Sequence, residues 1–175
     1  GELQSQTERI SCFAGTMKNI NRLDEIIISR AYVSQADLLA KTEAILTVLA
    51  QKYAKQFEVH SELKEQQLNL DISIFLEVLE NLIDNAMRFS VQCVRVEFRY
   101  SQSLLNVCVH DDGKGFQPDE LSKAVNPYYH GESVGTEHYG MGLYICKMLC
   151  EKHGGFLRVY NSPGGGACVE FNITA

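Results

Sequence analysis

The spacing of apolar and polar positions predicts three amphipathic helices in the first half of the chain. Residues 1–32 carry apolar side chains at heptad spacing, which indicates one long helix with an a/d seam. That seam could pack on its own domain or on a second copy of the chain. A second helix follows a start resembling a capping box at Ser34 and Asp37, and a third is predicted from Asp71 to about Phe89.

The rest of the pattern predicts strands and two further helices. One short helix follows Pro118 in the loop-rich segment 111–140, and another runs from about 141 to 153 and ends at Gly154 and Gly155. Alternating segments predict strands at 57–63, 67–71, 93–100, 104–110, 156–161 and 167–173. Because strands and helices alternate without βαβ regularity and several strands look like hairpins, we expect an α+β two-layer sandwich, a mixed sheet with helices on one face.

Composition narrows the class of protein. The chain has 175 residues, enough for one core, and a net charge of −6 without a Lys/Arg cluster. This argues against a nucleic-acid or anionic-membrane surface. No apolar run is long enough to span a membrane, and no signal peptide is visible.

The six cysteines include no Cys-x-x-Cys pair, so we expect reduced thiols. Cys93, Cys108 and Cys168 lie in apolar, strand-like segments and are predicted to belong to the core. Cys146 and Cys150 are one helical turn apart and could bind a metal ion, but no histidine or second cysteine pair supports such a site.

A polar stripe follows the predicted helix 72–89. Glu77, Asn81, Asn85 and Arg88 share a face distinct from the apolar stripe. Asparagine is a poor helix former, so two asparagines one turn apart need a reason. The stripe is either a solvated face or a set of neutral oxygen ligands directed at a metal–phosphate group, since Mg²⁺ prefers oxygen ligands.

Two glycine motifs come later in the chain. Asp111 begins a loop after a strand, where its carboxylate could accept a hydrogen bond from an amino group such as that of adenine, while Gly113 and Gly115 let the backbone approach a flat ligand. A tight turn would use the same residues. Gly140 and Gly142 open a helix and leave N–H groups bare for phosphate, although a loop-to-helix junction could also need them.

The three motifs in this order resemble the catalytic and ATP-binding domain of sensor histidine kinases, of the gyrase, heat-shock chaperone, histidine kinase and MutL superfamily with its Bergerat-type fold. The resemblance covers residues from about 37 to 173. It implies that Asn85 is the Mg²⁺ ligand and that Asn81 supports it in catalysis. It further implies that Arg88 contacts phosphate and that Asp111 accepts a hydrogen bond from the adenine amino group.

The same resemblance assigns the glycine residues and the lid. Gly113 and Gly115 belong to the first glycine box, and the second consists of Gly140, Met141, Gly142 and Leu143. Tyr129 would contact the nucleotide. The family's arginine facing the γ-phosphate is His130 here, a residue of weaker and pH-dependent charge.

The resemblance also implies a domain organisation and partners. Residues 1–33 would be the C-terminal part of a dimerisation helix, and residues 34–175 the catalytic domain. A cytoplasmic domain of a membrane-bound sensor would use ATP and Mg²⁺. It would form a homodimer through the N-terminal helix and act with a histidine-phosphotransfer domain and a response regulator. No histidine lies in an acceptor-like context, so we expect a protein-histidine kinase that is incomplete in this chain.

Two alternatives remain open at this point. One is an ATP-hydrolysing switch of the gyrase type, but those relatives carry a glutamate base where this chain has Asn81. The other is a degenerate, non-catalytic module that senses ATP or docks a response regulator. The substitutions at His130 and at His138, which stands where the second glycine box usually has its first glycine, keep that alternative open.

Overall fold

The computed structural model describes residues 22–127 and 142–175. Residues 22–25 are helical, and the elements that follow include seven strands and four helices within these two described ranges. In chain order they are β1 (Ala31–Ser34), α1 (Gln35–Tyr53), β2 (Gln56–Ser61), β3 (Gln67–Leu70), α2 (Ile72–Phe89), β4 (Cys93–Ser101), β5 (Leu104–Asp111), α3 (Pro118–Leu121), α4 (Gly142–Lys152), β6 (Phe156–Asn161) and β7 (Ala167–Thr174).

Five strands form one mixed sheet in the order β2-β4-β5-β7-β6. Strand β2 runs parallel to β4, and the other neighbours are antiparallel. Alternate residues of β4 and β5 are buried under the helices, among them Val96, Phe98 and Val107, while the intervening residues face away. The predicted α+β sandwich with helices on one face is therefore confirmed.

The helix boundaries follow local capping. The Ser34 side chain accepts a hydrogen bond from the Asp37 backbone N–H at the start of α1, and Asp71 caps α2 by accepting from Ser73 and Ile74. The buried face of α2 contains Ile74, Phe75, Val78, Leu79, Leu82, Ile83, Ala86 and Met87. Each large apolar side chain buried there contributes roughly 1.5–3 kcal/mol. Among the described helices, none combines the length and apolar character needed to cross a bilayer.

The predicted helix over residues 1–32 is wrong at its C-terminal end. Helical structure stops at residue 25, and β1 pairs with β3 in the register Ala31 to Leu70, which forms a second, two-stranded antiparallel sheet. Arg30 fixes this segment by donating to the backbone oxygens of Asn69 and Thr174 at 3.1 and 3.0 Å. The rest of that predicted helix, residues 1–21, lies outside the described residues. The proposed boundary at residue 33 stays a prediction, although β1 crosses it.

The five cysteines that the structure describes are free thiols, but not all of them are in the core. Burial raises the pKa of Cys146 well above its ordinary value and that of Cys150 to about 12, which makes both inert core thiols. Cys168 is buried as well. The prediction was wrong for Cys93 and Cys108, which are only partly buried. Their apolar neighbours in β4 and β5 face the helices, so the two cysteines lie on the opposite face of the sheet.

Candidate functional site

Helix α2 directs Asn81 towards the start of α4. The Asn81 side chain is exposed, and its Nδ2 donates to the Glu77 backbone oxygen at 2.8 Å. Its Oδ1 lies 3.8 Å from the position that a Cβ on Gly142 would take. The neutral amide oxygen of Asn81 therefore faces the first residue of α4, where backbone N–H groups are unpaired by the helix geometry.

Asn85 and Arg88 lie about one and two turns beyond Asn81 on α2 and are linked to each other. Arg88 Nη1 donates to Asn85 Oδ1 at 3.4 Å, and Arg88 Nη2 pairs with Asp84 Oδ2 at 2.5 Å. Burial would raise the pKa of Asp84, but hydrogen bonds from Tyr53 and Lys52 and the charge of Arg88 outweigh it and lower that pKa. Arg88 is thus paired with an ionised carboxylate, and contact with a phosphate would require it to share or leave that pair.

Asp111 ends β5 with one carboxylate oxygen committed to the protein. Its Oδ1 accepts from the Gly113 N–H at 2.8 Å and from the Ala167 N–H at 3.2 Å. No described residue donates to Oδ2. Burial of this half-exposed side chain raises its pKa, although the two backbone N–H groups oppose the shift. The arrangement fixes the carboxylate and leaves one oxygen for a donor such as an amino group.

The glycine loop after Asp111 is packed closely against two neighbouring segments. A Cβ on Gly113 would stand well inside 3.0 Å of the Phe89 backbone oxygen, at the C-terminal end of α2. Gly115 has a φ of +74°, a conformation that favours glycine. Asn161 at the end of β6 holds the loop, because its Oδ1 accepts from the Phe116 N–H and its Nδ2 donates to the Phe116 oxygen, both at 2.8 Å.

Three supporting residues were missed by the sequence analysis. Ala167 contacts Asp111 and Asn161 contacts Phe116 across more than 40 residues of sequence, a separation for which a single sequence gives no signal. Asp112 accepts hydrogen bonds from the N–H groups of Val91, Gln92 and Cys93, which ties the loop to the connection after α2. These contacts join residues 19 to 21 positions apart, so a local turn pattern could not have suggested them.

The second glycine box is described only in part. Gly142 begins α4, and Leu143 is half-buried and packs against the core. Tyr129, His130, Gly140 and Met141 lie outside the described residues, so their predicted roles stay predictions. The structure nevertheless brings the described parts of the three motifs to α2. Gly142 lies beside Asn81, and Gly113 lies beside Phe89, about 12 Å further along the same helix.

Known proteins match most of this chain. The model of the family described as histidine kinase-, DNA gyrase B- and HSP90-like ATPase matches residues 70–175. The chain is 30% identical over 129 residues to the sensor protein KdpD of Clostridium acetobutylicum. That match covers 70% of this chain and 14% of KdpD, so the chain spans about a seventh of that relative.

Solved structures share the fold. Full-length ShkA in complex with AMPPNP has a TM-score of 0.79 at 22% identity, over 99% of this chain and 38% of ShkA. The mycobacterial sensor histidine kinase MprB has a TM-score of 0.68 at 22% identity, over 83% of this chain and 97% of that one. The family match extends from the cap of α2 to the last strand and includes all the described motif residues. The chain therefore belongs to the family of histidine kinase-, DNA gyrase B- and HSP90-like ATPases.

Proposed function

We propose that this chain is the ATP-binding catalytic domain of a sensor histidine kinase and transfers the γ-phosphoryl group of Mg-ATP to a histidine on a dimerisation domain. One observation carries the proposal: Asn81 in the middle of α2 directs its amide oxygen towards the start of α4, and the glycine loop with its fixed carboxylate contacts α2 about 12 Å further on, at Phe89. This separation suits a ligand with a base at one end and phosphates at the other.

The adenine end is formed by Asp111 and the loop that follows it. Oδ2 of Asp111 accepts a hydrogen bond from the adenine amino group, while Oδ1 is held by the Gly113 and Ala167 N–H groups. The loop conformation at Gly113 and Gly115 allows the base to lie against backbone. A charge-assisted hydrogen bond of this kind contributes roughly 1.5–3 kcal/mol.

The phosphate end is formed by α2 and the start of α4. Asn85 Oδ1 would hold Mg²⁺, because amide oxygens are ligands that this ion accepts and because Asn85 has only one long hydrogen bond to Arg88 among the described residues. The ion would neutralise phosphate charge. Asn81 orients the group being transferred, and the N–H groups at the start of α4 hold phosphate oxygens. His130 takes the place of the family's arginine.

Catalysis on this proposal is positioning combined with charge stabilisation, as in other phosphoryl transfers. The acceptor histidine belongs to a histidine-phosphotransfer domain, and a response regulator receives the group afterwards. Residues 1–33 would supply the end of the dimerisation helix and make a homodimer. The full-length protein would carry this domain on the cytoplasmic side of a membrane-bound sensor.

The test is phosphotransfer with labelled ATP and Mg²⁺. The 175-residue chain alone should form no acid-labile phosphohistidine, because its described histidines are His60, His110 and the buried His153, and none lies in an acceptor-like context. The same chain fused after its own dimerisation domain should become labelled, and Asn85→Ala should abolish labelling. Rapid ATP hydrolysis without labelling of the fusion would instead favour a gyrase-type switch.

A further inference from the structure

A cluster of soft ligands lies on the face of the sheet opposite the helices, beside the strand residues that hold Asp111. Cys108 and His110 are two residues apart on β5 and therefore face the same side, and Cys168 of β7 lies directly opposite His110. The two Sγ atoms and a ring nitrogen of His110 all lie within 4.8 Å of one another. Cys168 Sγ is 3.8 Å from His110 Nε2.

The two cysteines are not placed for a disulfide. Cys108 pairs with Glu170 in the β5–β7 register, whereas Cys168 pairs with His110, so the two cysteines are diagonal neighbours. Diagonal residues of an antiparallel pair are about 7–8 Å apart, beyond the roughly 6.8 Å that disulfides allow between Cα atoms. The thiols are thus adjacent without the geometry for a direct bond.

The surrounding residues orient the imidazole towards the sulfur atoms. His110 Nδ1 is 3.2 Å from Ser162 Oγ, which leaves Nε2 facing Cys168. Glu97 of β4 has Oε2 at 3.8 Å from the same Nε2.

We propose that Cys108 Sγ, Cys168 Sγ and His110 Nε2 bind a zinc ion, with Glu97 closing the fourth position. Thiolate and imidazole are the ligands that Zn²⁺ prefers, with Zn–S of about 2.3 Å and Zn–N of about 2.0–2.1 Å. A tetrahedron with these bonds separates its ligand atoms by about 3.6–3.8 Å, and Cys168 and His110 already meet that spacing at 3.8 Å. Two thiolates would balance the charge of the ion.

The site would lie directly behind the proposed adenine carboxylate. His110 precedes Asp111 in β5, and Cys168 follows Ala167, whose N–H donates to Asp111 Oδ1. The ion would therefore join β5 to β7 at the two residues adjoining that hydrogen bond. The proposal does not depend on the proposed kinase function, because its ligands and its test involve no nucleotide.

Cobalt titration tests the site. The reduced, untagged chain, stripped with a chelator, should bind one equivalent of Co²⁺ with an intense thiolate-to-metal absorption that Zn²⁺ displaces. Cys108→Ser and Cys168→Ser should lose the absorption. Cys93→Ser is the matched control, since Cys93 is also a partly exposed thiol of this sheet but lies outside the cluster, and it should retain the absorption.

Calorimetry and thermal unfolding with Zn²⁺ extend the test to variants that keep all three ligands. Ser162→Ala should weaken Zn²⁺ binding by about 10–100-fold, as loss of an orienting partner does at other metal sites. Zn²⁺ should raise the Tm of the wild type and of Cys93→Ser but not of Cys108→Ser. The absence of saturable metal binding to the reduced wild type, or equal binding by the Cys108→Ser and Cys93→Ser variants, would overturn the proposal.

Discussion

The backbone oxygen of Phe89 occupies the space in which a side chain on Gly113 would begin. A Cβ there would come well inside 3.0 Å of that oxygen and within 2.8 Å of Asp111 Oδ1. The end of α2 and the glycine loop are therefore in backbone contact, and this contact sets the position of the Asp111 carboxylate. The sequence motif assigns Gly113 to the close approach of a ligand, and the structure shows that Gly113 is also needed for packing within the protein.

Gly113→Ala should consequently destabilise the fold and the site together. The added methyl group must displace backbone, and overpacking of this kind costs about 1–3 kcal/mol. Urea unfolding should show this loss, and nucleotide affinity should fall with it. Gly164→Ala is the control, because a Cβ at Gly164 meets nothing within 4 Å, and it should change stability by less than about 0.5 kcal/mol. Equal stabilities of the two variants would contradict the packing argument.

Asp111→Asn should weaken adenine nucleotides by about 10–150-fold, because the adenine amino group would lose a charged acceptor worth roughly 1.5–3 kcal/mol. Burial raises the pKa of Asp111. As the pH is lowered, the affinity of the wild type for nucleotide should therefore begin to fall at a higher pH than it would with an aspartate of ordinary pKa. Asp111→Asn should lack that dependence. Calorimetry with ADP measures both effects, and the exposed Asp119→Asn serves as the control. Unchanged affinity in Asp111→Asn would remove Asp111 from the site.

Asn85→Ala should separate metal-dependent from metal-independent binding. If Asn85 Oδ1 holds Mg²⁺, ATP affinity in Mg²⁺ should fall at least about tenfold, or about 1.4 kcal/mol, while affinity in EDTA should change little. Glu80→Ala, an exposed change on the same helix, controls for effects on α2 itself. Fluorescence titration with a labelled ATP analogue under both conditions is sufficient. Equal losses with and without Mg²⁺ would mean that Asn85 contacts the nucleotide or supports the helix instead.

The buried His153 should make stability depend on pH. Its Nε2 accepts from the Asp71 N–H at 2.9 Å, and burial lowers its pKa, with Arg30 lowering it further and Asp71 opposing. The unfolded chain, with a histidine pKa of about 6.5, therefore binds a proton more readily than the folded chain. This contribution to the free energy of unfolding is fully present above about pH 6.5 and is lost as pH falls through the lower folded pKa.

Urea unfolding between pH 8 and pH 5 should detect this loss. His153→Gln retains a hydrogen-bond acceptor and should have a flatter profile than the wild type, whereas His60→Gln, at an exposed histidine, should follow the wild type. A His153→Gln profile parallel to that of the wild type would show that the acid sensitivity arises elsewhere.

The sequence alone determined most helices, strands and local caps of the described chain. Asp71 and the 3-4 apolar spacing after it predicted α2, and the structure has that helix from Ile72 to Phe89. The order of the polar stripe and the two glycine motifs indicated the family, and the match over residues 70–175 confirms it. Such features are readable because capping and amphipathic spacing act over a few residues, within the range of a local pattern.

Only the tertiary structure decided how distant segments pair. Strand β1 forms because it pairs with β3. Strand β2 pairs with β4 in parallel, whereas several strands of the sequence looked like antiparallel hairpins. The clamp of Asn161 on Phe116 and the meeting of Cys108, His110 and Cys168 depend on the same registers. A local sequence pattern does not predict such pairings. They depend on which strand edges and apolar faces remain exposed when all the other elements have packed.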